Sequence, residues 1–260
     1  MSGYAEDVQA AQSAQAAEAV WSFVAARGGA SVILPDGRCD VIVRYREGMS
    51  GSVVPVVTGP ATEPYEVRFE AGDAWVGVRM RPERGVAVWG DDISAARERV
   101  LRGEEAVSQV PELAECLSVA PEEQALRSAL TGVAEVCGEA SVEARVEQAL
   151  SQIHRCGGQV RIETLAEDAG VSARHLGRLF LRSVGLSVQA YVGVVRFHRA
   201  LWLVMREGVA LSAAAAEAGY ADQAHLTRSV RRFAGMAPGK LPDDLILPEV
   251  AGAGFWGEPD

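Results

Sequence analysis

The strongest constraint on the fold of this chain is a pattern that occurs twice between residues 160 and 241. Each copy holds a short apolar stripe, a glycine that can end a helix, a capping residue and a second amphipathic stripe. The first copy contains LAEDAGVSARHLGRLF and the second contains AAAAEAGYADQAHLTRSVRRF. Two short helices joined by a tight turn, and repeated along the chain, predict two helix-turn-helix units.

The second helix of each unit is predicted to have one apolar face and one basic face. In the first unit, Ser172 is the predicted N-cap, and Leu176 and Phe180 share the apolar face. In the second unit, Asp222 is the N-cap and Leu226 lies on the apolar face. The opposite faces carry arginines, and guanidinium groups suit both phosphate and the edge of guanine.

These opposite faces are the predicted DNA-binding surface. Its residues are Ser172, Ala173, Arg174, His175, Gly177, Arg178 and Arg182 in the first unit, and Gln223, Ala224, His225, Thr227, Arg228, Arg231 and Arg232 in the second. We expect Arg174 and Arg228 to contact base edges, assisted by neighbouring polar residues, and Arg182, Arg231 and Arg232 to meet phosphate. The alternative for each arginine is an exposed side chain that is only solvated.

The segment between the two units predicts one long connecting helix. SVQAYVGVVRFHRALWLVMREG has apolar residues at helical spacing and contains no proline. About 20 helical residues at about 1.5 Å each span roughly 30 Å, close to the roughly 34 Å of one DNA turn. One rigid helix could therefore set two recognition helices into successive major grooves.

At these residues the chain resembles the AraC/XylS family of bacterial transcription regulators. The resemblance is carried by LAEDAGVSARHLGRLF, Gly185, Ser187, Tyr191, Arg196, Ala200, Leu201, AGYADQAHLTR, Arg231, Arg232, Gly235 and Pro238. It implies a DNA-binding domain of seven helices. The chain departs from the family at Leu226 and Val230, where aromatic residues are common, and at Ala237, where serine or threonine is usual. Leu181 also places an apolar side chain on the predicted DNA side.

The distribution of charge agrees with a DNA-binding C-terminal half. The whole chain has a net charge of −10, which by itself argues against a nucleic-acid partner. Residues 141–241, however, contain 13 Lys+Arg and 8 Asp+Glu, whereas residues 1–140 contain 12 and 22. The basic excess is thus confined to the segment that carries the repeated pattern.

The chain before residue 141 predicts a β-rich domain. Residues 1–18 lack strong apolar anchors and are interpreted as a flexible tail or a frayed helix, and residues 18–26 as a short docked helix. Glycine and proline separate the β-rich runs SVIL, CDVIVRY, SVVPVVT, YEVRFEA, AWVGVRM and GVAVW. This spacing predicts a small antiparallel barrel or sandwich.

The runs LPDGRCDVIVRY, GPATEPYEV and WVGVRMRPERG resemble the cupin-like N-terminal sensory domain of a subgroup of AraC-type regulators. The resulting prediction is an α+β protein of two domains. A β-rich, cupin-like barrel with flanking helices occupies residues 19–140, and an all-α double helix-turn-helix domain occupies residues 141–241. Residues 242–260 are predicted to be an acidic flexible tail.

Helices are predicted at two further places. Apolar stripes between residues 92 and 138, including Val100 and Leu101, predict helices that either support dimerisation and signal transmission or only cover the β-rich domain. Residues 141–156 predict an entry helix to the C-terminal domain.

Three residue pairs are candidates for an effector site in the β-rich domain. They are Asp36 and Asp40, Arg79 and Arg81, and Trp75 and Trp89. The carboxylates could hold a ligand or a metal, or serve only a Pro-Asp-Gly turn and a strand start. The arginines could bind an acidic effector or form a solvated strand face, and the indoles could line a pocket or pack in the core.

The composition also argues against several classes of protein. All four histidines lie beyond residue 150, so an imidazole metal centre of the cupin type cannot form in the β-rich domain. The chain has no GxSxG elbow, no phosphate-cradling glycine loop and no CxxC pair. We therefore expect no enzyme activity, no cofactor and no metal. Four cysteines without paired spacing, with no secretory signal or long apolar span, favour a cytoplasmic protein that does not bind membranes.

The resulting hypothesis is a sequence-specific DNA-binding transcriptional regulator controlled by its N-terminal domain. Its expected partner is double-stranded promoter or operator DNA, with RNA polymerase as a partner if the protein is an activator. A small-molecule effector and a second copy in a homodimer are further candidates. The alternative is a ligand-binding or protein-interaction module with a degenerate helix-turn-helix half, which the acidic overall charge and the missing aromatics favour.

Overall fold

The computed structural model describes residues 3–8, 16–91, 93–138, 141–242, 245 and 247. Strands dominate the described residues up to residue 102, and helices dominate beyond it. The predicted division into a β-rich N-terminal part and a helical C-terminal part is therefore confirmed.

The N-terminal part contains two antiparallel sheets. Its strands are β1 (Gly3–Asp7), β2 (Ala17–Val24), β3 (Gly29–Ile33), β4 (Asp40–Arg46), β5 (Val54–Thr58), β6 (Tyr65–Phe69), β7 (Asp73–Met80) and β8 (Val100–Arg102). The larger sheet has the order β1-β2-β7-β4-β5-β8, and β3 pairs with β6 in the smaller sheet. Among the described strands no pairing joins β1 to β8, so the larger sheet has two edges.

Helices cover one face of the larger sheet. They are α1 (Gly85–Trp89), α2 (Glu104–Gln109) and α3 (Glu123–Gly138), with 3-10 turns at Pro82–Arg84, Ile93–Ala96 and Pro111–Leu117. Val76 and Val78 of β7 are fully buried in one cluster with Leu126 and Leu130 of α3. Because side chains alternate along a strand, the other face of β7 carries Trp75, Gly77 and Arg79. That face lines a cavity between the two sheets.

Two predictions near the N-terminus are wrong. Residues 1–18 are not simply a flexible tail, because β1 pairs with β2 along its whole length; residues 9–15 lie outside the described residues. The helix predicted at residues 18–26 is the strand β2, which is hydrogen-bonded between β1 and β7. The sequence AEAVWSFV fits both helical and strand spacing, and pairing on two sides decides for the strand.

Two further predictions are corrected later in the N-terminal part. GVAVW is the helix α1, not a strand, because it continues directly from the 3-10 turn that Pro82 begins. Val100 and Leu101 do not belong to a helix, since they form β8 and pair with β5. The other helices predicted between residues 92 and 138 are confirmed in α2, α3 and the 3-10 turn between them.

The helices predicted in the C-terminal part are confirmed. They are α4 (Ala144–Arg155), α5 (Ile162–Asp168), α6 (Ala173–Val184), α7 (Val188–Met205), α8 (Leu211–Glu217) and α9 (Gln223–Ala234). A 3-10 turn at Pro238–Lys240 follows, where the family resemblance implied a seventh helix. The pairs α5–α6 and α8–α9 are the two helix-turn-helix units, and α7 is the connecting helix. None of the described helices has the length and apolar content needed to cross a bilayer.

The connecting helix α7 contributes to the hydrophobic cores of both units. Its Tyr191 and Val195 pack with α4, α5 and α6, while its Phe197 and Leu201 pack with α8 and α9. Leu245 and Leu247 are buried in the second of these cores. The prediction of a flexible tail at residues 242–260 is therefore wrong for these two residues, because their side chains are buried in the core. Most of the tail lies outside the described residues.

Candidate nucleic-acid interface and N-terminal cavity

The recognition helices α6 and α9 both begin at a side-chain cap. The Ser172 hydroxyl accepts a hydrogen bond from the His175 backbone N–H at 3.2 Å. The Asp222 carboxylate accepts one from the His225 backbone N–H at 2.6 Å. Each cap satisfies a backbone donor that the first turn of a helix leaves open. Both predicted N-caps are thus confirmed.

The two recognition helices also end alike. Gly185 and Gly235 follow them with φ angles of 76° and 71°, in the left-handed region that favours glycine. From N-cap to final glycine, the helices therefore correspond residue by residue at an offset of 50 positions. The sequence pattern had shown the repeat but not this exact register.

The predicted DNA-binding residues all remain accessible. Ser172, Ala173, Arg174, Arg178, Arg182, Gln223, Ala224, Arg228, Arg231 and Arg232 are exposed, and His175, Gly177, His225 and Thr227 are half-buried. The apolar positions of the same helices, such as Leu176 and Leu226, are fully buried. The two outer faces are therefore free to meet a ligand while the inner faces hold the fold.

The arginines on these outer faces are not neutralised by acidic side chains. Among the described residues, no ion pair involves Arg174, Arg178, Arg182, Arg228, Arg231 or Arg232. Arg199 on α7, by contrast, pairs with Glu217 at 2.7 Å. Unpaired positive charge on two equivalent faces suits a polyanion such as the DNA backbone.

Histidine occupies the same position in both recognition helices. Nδ1 of His175 accepts a hydrogen bond from the Arg178 guanidinium at 3.3 Å. Nδ1 of His225 accepts one from the Ala221 backbone N–H at 3.5 Å. With Nδ1 as acceptor, a neutral imidazole carries its proton on Nε2, and can donate a hydrogen bond from there.

The outer faces differ at several matched positions, including Arg174 against Ala224. Leu181 on α6 is 42% exposed, and the residue 50 positions later on α9 is Arg231. The first unit therefore carries an apolar side chain where the second carries a charge. Leucine cannot contact phosphate electrostatically, so the two units are not chemically equivalent.

The N-terminal cavity has a volume of about 870 Å³. Its aromatic lining consists of Tyr4, Trp21, Phe23, Tyr65, Phe69 and Trp75, which come from both sheets. Of the candidate residues, Asp36, Asp40 and Arg79 also line it, whereas Arg81 and Trp89 do not. Arg81 is exposed, and the Trp89 indole is buried and donates a hydrogen bond to the Thr58 carbonyl at 3.0 Å.

Arg79 is buried at the centre of a polar network, so it does not belong to a solvated strand face. Its guanidinium pairs with Glu6 at 2.5 Å and with Asp36 at 3.1 Å, and lies 3.9 Å from Asp40. Burial of the guanidinium without these carboxylates would carry a large desolvation penalty. Asp36 and Asp40 therefore do more than shape a turn and begin a strand.

Arg38 forms a second part of the same network. It is completely buried, and its guanidinium donates to the Glu18 carboxylate and to the Asp36 carbonyl oxygen. The Asp36 carboxylate in turn accepts a hydrogen bond from the Arg38 backbone N–H at 2.9 Å. Hydrogen bonds of the Asp36 carboxylate and of the Arg38 guanidinium therefore hold the turn at Pro35–Arg38.

Burial raises the pKa of the Asp40 carboxyl to about 7, although Arg79 opposes this shift. The nearby carboxylates of Asp36 and Glu6 raise it further, while the Trp21 N–H lowers it by donating to Asp40 Oδ1 at 2.9 Å. The carboxyl group therefore titrates close to neutral pH.

Sequence reasoning missed several residues of this network, namely Tyr4, Glu6, Glu18, Trp21 and Arg38. Glu6 and Glu18 were placed in a segment read as flexible, and Trp21 in a predicted helix. In a strand, Trp21 and Phe23 would share one face and Val20 and Ser22 the other. This alternation could have indicated a strand with an aromatic face towards a pocket. Nothing in the sequence indicates that Arg38 is buried.

The β3–β4 loop connects the cavity to the connecting helix α7. The Pro35 carbonyl oxygen accepts a hydrogen bond from the His198 imidazole Nε2 at 2.8 Å. Gly37 lies so close to Tyr191 that an added Cβ would come within 2.9 Å of its ring. The loop that carries Asp36 therefore packs directly on α7.

Comparisons with known proteins identify the same helical region. Residues 165–242 match a family model described as a helix-turn-helix domain. Over 106 residues the chain is 24% identical to the Msm operon regulatory protein of Streptococcus mutans serotype c, an alignment that covers 40% of this chain and 38% of that protein. The chain thus matches well under half of that relative's length.

Two solved structures show a distant overall likeness. ToxT from Vibrio cholerae aligns with a TM-score of 0.46 at 8% identity, over 84% of this chain and 94% of ToxT. The AraC-like transcriptional activator CuxR aligns with a TM-score of 0.26 at 18% identity, over 67% of this chain and 73% of CuxR.

The family match and the geometry agree on the same elements. The matched range begins at Leu165 within α5 and includes both recognition helices, their caps and the connecting helix. The capped, outward-facing basic helices are what such a domain requires. Residues 165–242 of this chain therefore form a helix-turn-helix domain.

Proposed function

We propose that this protein is a transcriptional regulator that binds specific DNA sites through α6 and α9, under the control of its N-terminal cavity. The observation that carries the proposal is the pair of capped helices, each with a basic outer face free of ion pairs, inside the helix-turn-helix domain. Phosphate contacts would supply most of the affinity, and base contacts in the major groove would supply the choice of sequence.

The proposed readout assigns different tasks to the exposed side chains. Arg174 and Arg228 lie in the first halves of their helices, the part of a recognition helix that reaches base edges. Arg182 and Arg232 lie in the last turns, where contact with the phosphate backbone is expected. His175 and His225 can each offer an Nε2 donor beside these arginines.

The connecting helix supports simultaneous binding of both units. α7 has 18 residues, so its length is about 27 Å, of the order of the roughly 34 Å between successive major grooves. Nine of its residues are buried in one or the other of the two cores, which makes independent movement of the units costly. The proposed site is therefore two half-sites about one helical turn apart.

The proposed control by the N-terminal part rests on the β3–β4 loop. Asp36 in this loop lines the cavity, and Pro35 and Gly37 contact α7. A ligand that moves the loop would act on the helix that joins the two recognition units. A cavity of about 870 Å³ falls within the usual range for small-molecule sites.

The experiment that tests DNA binding is selection of bound sequences from random duplexes by the full-length protein. We expect an enriched site with two motifs separated by about 10 base pairs. Fluorescence anisotropy with that duplex and with a scrambled duplex then compares Arg174→Ala and Arg228→Ala, the two residues assigned to base edges. Each should weaken specific binding by about 1–3 kcal/mol and relax preference at one base pair.

Arg27→Ala is the control, because Arg27 is an exposed arginine outside the helix-turn-helix domain. It should leave specific affinity unchanged. Failure to enrich any sequence, or equal loss on specific and scrambled DNA for both helix variants, would favour the alternative of a protein-interaction module.

A further inference from the structure

We propose that the N-terminal cavity binds an organic cation, an amine with an apolar body, whose ammonium group lies against Asp40 and the aromatic walls. This inference builds on the proposed regulator function, because it names the chemical class of the effector. Ligand binding can be measured without DNA, so failure of one proposal is distinguishable from failure of the other.

The charges of the polar network at the buried end of the cavity are not balanced. Asp36, Arg38, Asp40 and Arg79 line the cavity, and Glu6 and Glu18 pair with the two arginines from outside the lining. The network contains four carboxylates, those of Glu6, Glu18, Asp36 and Asp40, but only two guanidiniums, those of Arg38 and Arg79, among the described residues. All six side chains are at most 15% exposed. Buried charges are normally paired, so a network with excess carboxylate favours a positively charged ligand over a negative one.

Both buried guanidiniums are already paired with carboxylates. Arg38 is held by Glu18 and by the Asp36 carbonyl oxygen, and Arg79 is held between Glu6, Asp36 and Asp40. An anionic ligand at this end of the cavity would have to displace one of these carboxylates. It would then add a further negative charge to a site that already has more carboxylates than guanidiniums.

One carboxylate oxygen of Asp40 is free to accept a hydrogen bond from a ligand. Its Oδ1 accepts a hydrogen bond from the Trp21 indole N–H at 2.9 Å, whereas Oδ2 accepts none among the described residues. The carboxyl group lines the cavity, so an ammonium N–H can reach it from inside. A charge-assisted hydrogen bond of this kind would favour the ionised form that burial now disfavours.

Aromatic rings form the wall of the cavity next to Asp40. Tyr4 stacks on Trp21 with ring centroids 6.0 Å apart, and Phe23 and Trp75 lie 5.5 Å apart. The Trp21 ring lies against Gly77, where an added Cβ would come within 2.4 Å of it. Aromatic faces attract cations, and they also shelter the apolar body of an amine.

The arginines at the cavity rim do not change this balance. Arg44 pairs with Asp73 at 2.8 Å and its guanidinium also lies 6.0 Å from the Trp75 ring centroid. Arg68 pairs with Glu66 at 2.7 Å. Arg99 and Arg102 also line the cavity and form no ion pair among the described residues, but both are exposed to water, which screens their charge. A carboxylate ligand would therefore bind at the rim, beside Arg102.

The test compares three probes of matched size and different charge: 4-phenylbutylamine, 4-phenylbutanol and 4-phenylbutyrate. Their affinities for the full-length protein are measured near pH 8 by isothermal titration calorimetry. We expect the amine to bind at least about tenfold more tightly than the alcohol, since cation–π contact and the carboxylate both favour it. The carboxylate probe should bind most weakly.

Two variants show which residue causes the preference for the amine over the alcohol. Asp40→Asn keeps an oxygen for the Trp21 N–H and nearly the same volume, and should reduce amine affinity to that of the alcohol without changing alcohol affinity. Unchanged alcohol affinity shows that the cavity has kept its shape. Arg102→Gln is the control at the rim and should leave the amine preference intact.

A further measurement follows the wild-type amine affinity from about pH 6 to pH 8. The groups that face Asp40 are Arg79 from β7, Asp36 from the β3–β4 loop, Glu6 from β1, Trp21 from β2 and Thr58 from β5. An aliphatic ammonium stays protonated in this range, so affinity should rise as Asp40 loses its proton. Equal affinity for amine and alcohol, tighter binding of the carboxylate, or no saturable binding of the amine would each overturn the proposal.

Discussion

Arg231 and Leu181 occupy equivalent positions on the two recognition helices, and their chemistry differs by a full charge. Arg231 is exposed and forms no ion pair among the described residues, as expected for a residue that meets phosphate. Leu181 is 42% exposed on the matching face of α6. If both faces lie on DNA, only the second unit can gain electrostatically at this position.

Arg231→Ala should therefore lower the dependence of DNA affinity on salt. Each phosphate contact contributes about 0.9 to the slope of log K against log salt, so the slope should fall by about one unit. Leu181→Ala is the matched control and should leave the slope unchanged. The measurement is a series of anisotropy titrations between roughly 50 and 200 mM salt. An unchanged slope for Arg231→Ala would place that side chain off the backbone.

At the scale of single elements, the recognition helices could be predicted because local signals agree. Ser172 and Asp222 are good N-caps, the apolar stripes have helical spacing, and glycine follows each helix. In β2, by contrast, AEAVWSFV contains apolar residues at both spacings, so pairing with neighbouring strands decides its conformation. GVAVW in α1 was predicted as a strand because its short apolar run also fits strand spacing.

The cap of α9 gives a prediction at this scale. Asp222→Ala removes the acceptor for the His225 N–H, so it should lower the free energy of unfolding by about 1 kcal/mol. Asp222→Asn retains an equivalent acceptor and should lose little stability. Urea denaturation monitored by circular dichroism provides the comparison. Equal stability of Asp222→Ala and the wild type would show that the cap contributes nothing to folding.

At the scale of the whole molecule, the β3–β4 loop links the two parts of the chain. The His198 imidazole on α7 is buried and hydrogen-bonded to the Pro35 carbonyl oxygen, close to Asp36, Arg38 and Arg79. Burial lowers the pKa of His198 to about 4, since the charged imidazolium would be poorly solvated there. The hydrogen bond to Pro35 by itself favours the charged form, but burial outweighs it, so the folded protein keeps this imidazole neutral until well below pH 6.

Stability should depend on pH through this residue. Between about pH 6.5 and pH 4 the unfolded chain binds a proton at His198 that the folded protein does not, so acidification removes up to about 3 kcal/mol. Asp40, whose pKa is raised by burial to about 7, acts in the opposite direction. His198→Gln, which can still donate to Pro35, isolates the histidine. Parallel profiles of unfolding free energy against pH for the variant and the wild type would contradict this expectation.

The cavity network shows where prediction from sequence reaches its limit. From the sequence, Asp36 and Asp40 could either hold a ligand or a metal or serve only a turn and a strand start. For Arg79 the sequence left open an effector site or a solvated face, whereas carboxylates from β1, the β3–β4 loop and β4 enclose it. Burial of a charge depends on carboxylates that the fold brings from elsewhere, and no local pattern records this.

The sequence by itself determined the elements whose information is local: the capped recognition helices, their basic outer faces and the proline-free helix between them. Only the tertiary structure decided which way β2 and GVAVW fold, that β1 completes the larger sheet, and that charged residues from distant segments converge at the end of a cavity. The physical reason is the distance along the chain over which each interaction acts. Helix caps and helical spacing act within a few residues, whereas strand pairing and the compensation of buried charge require partners far apart in the chain.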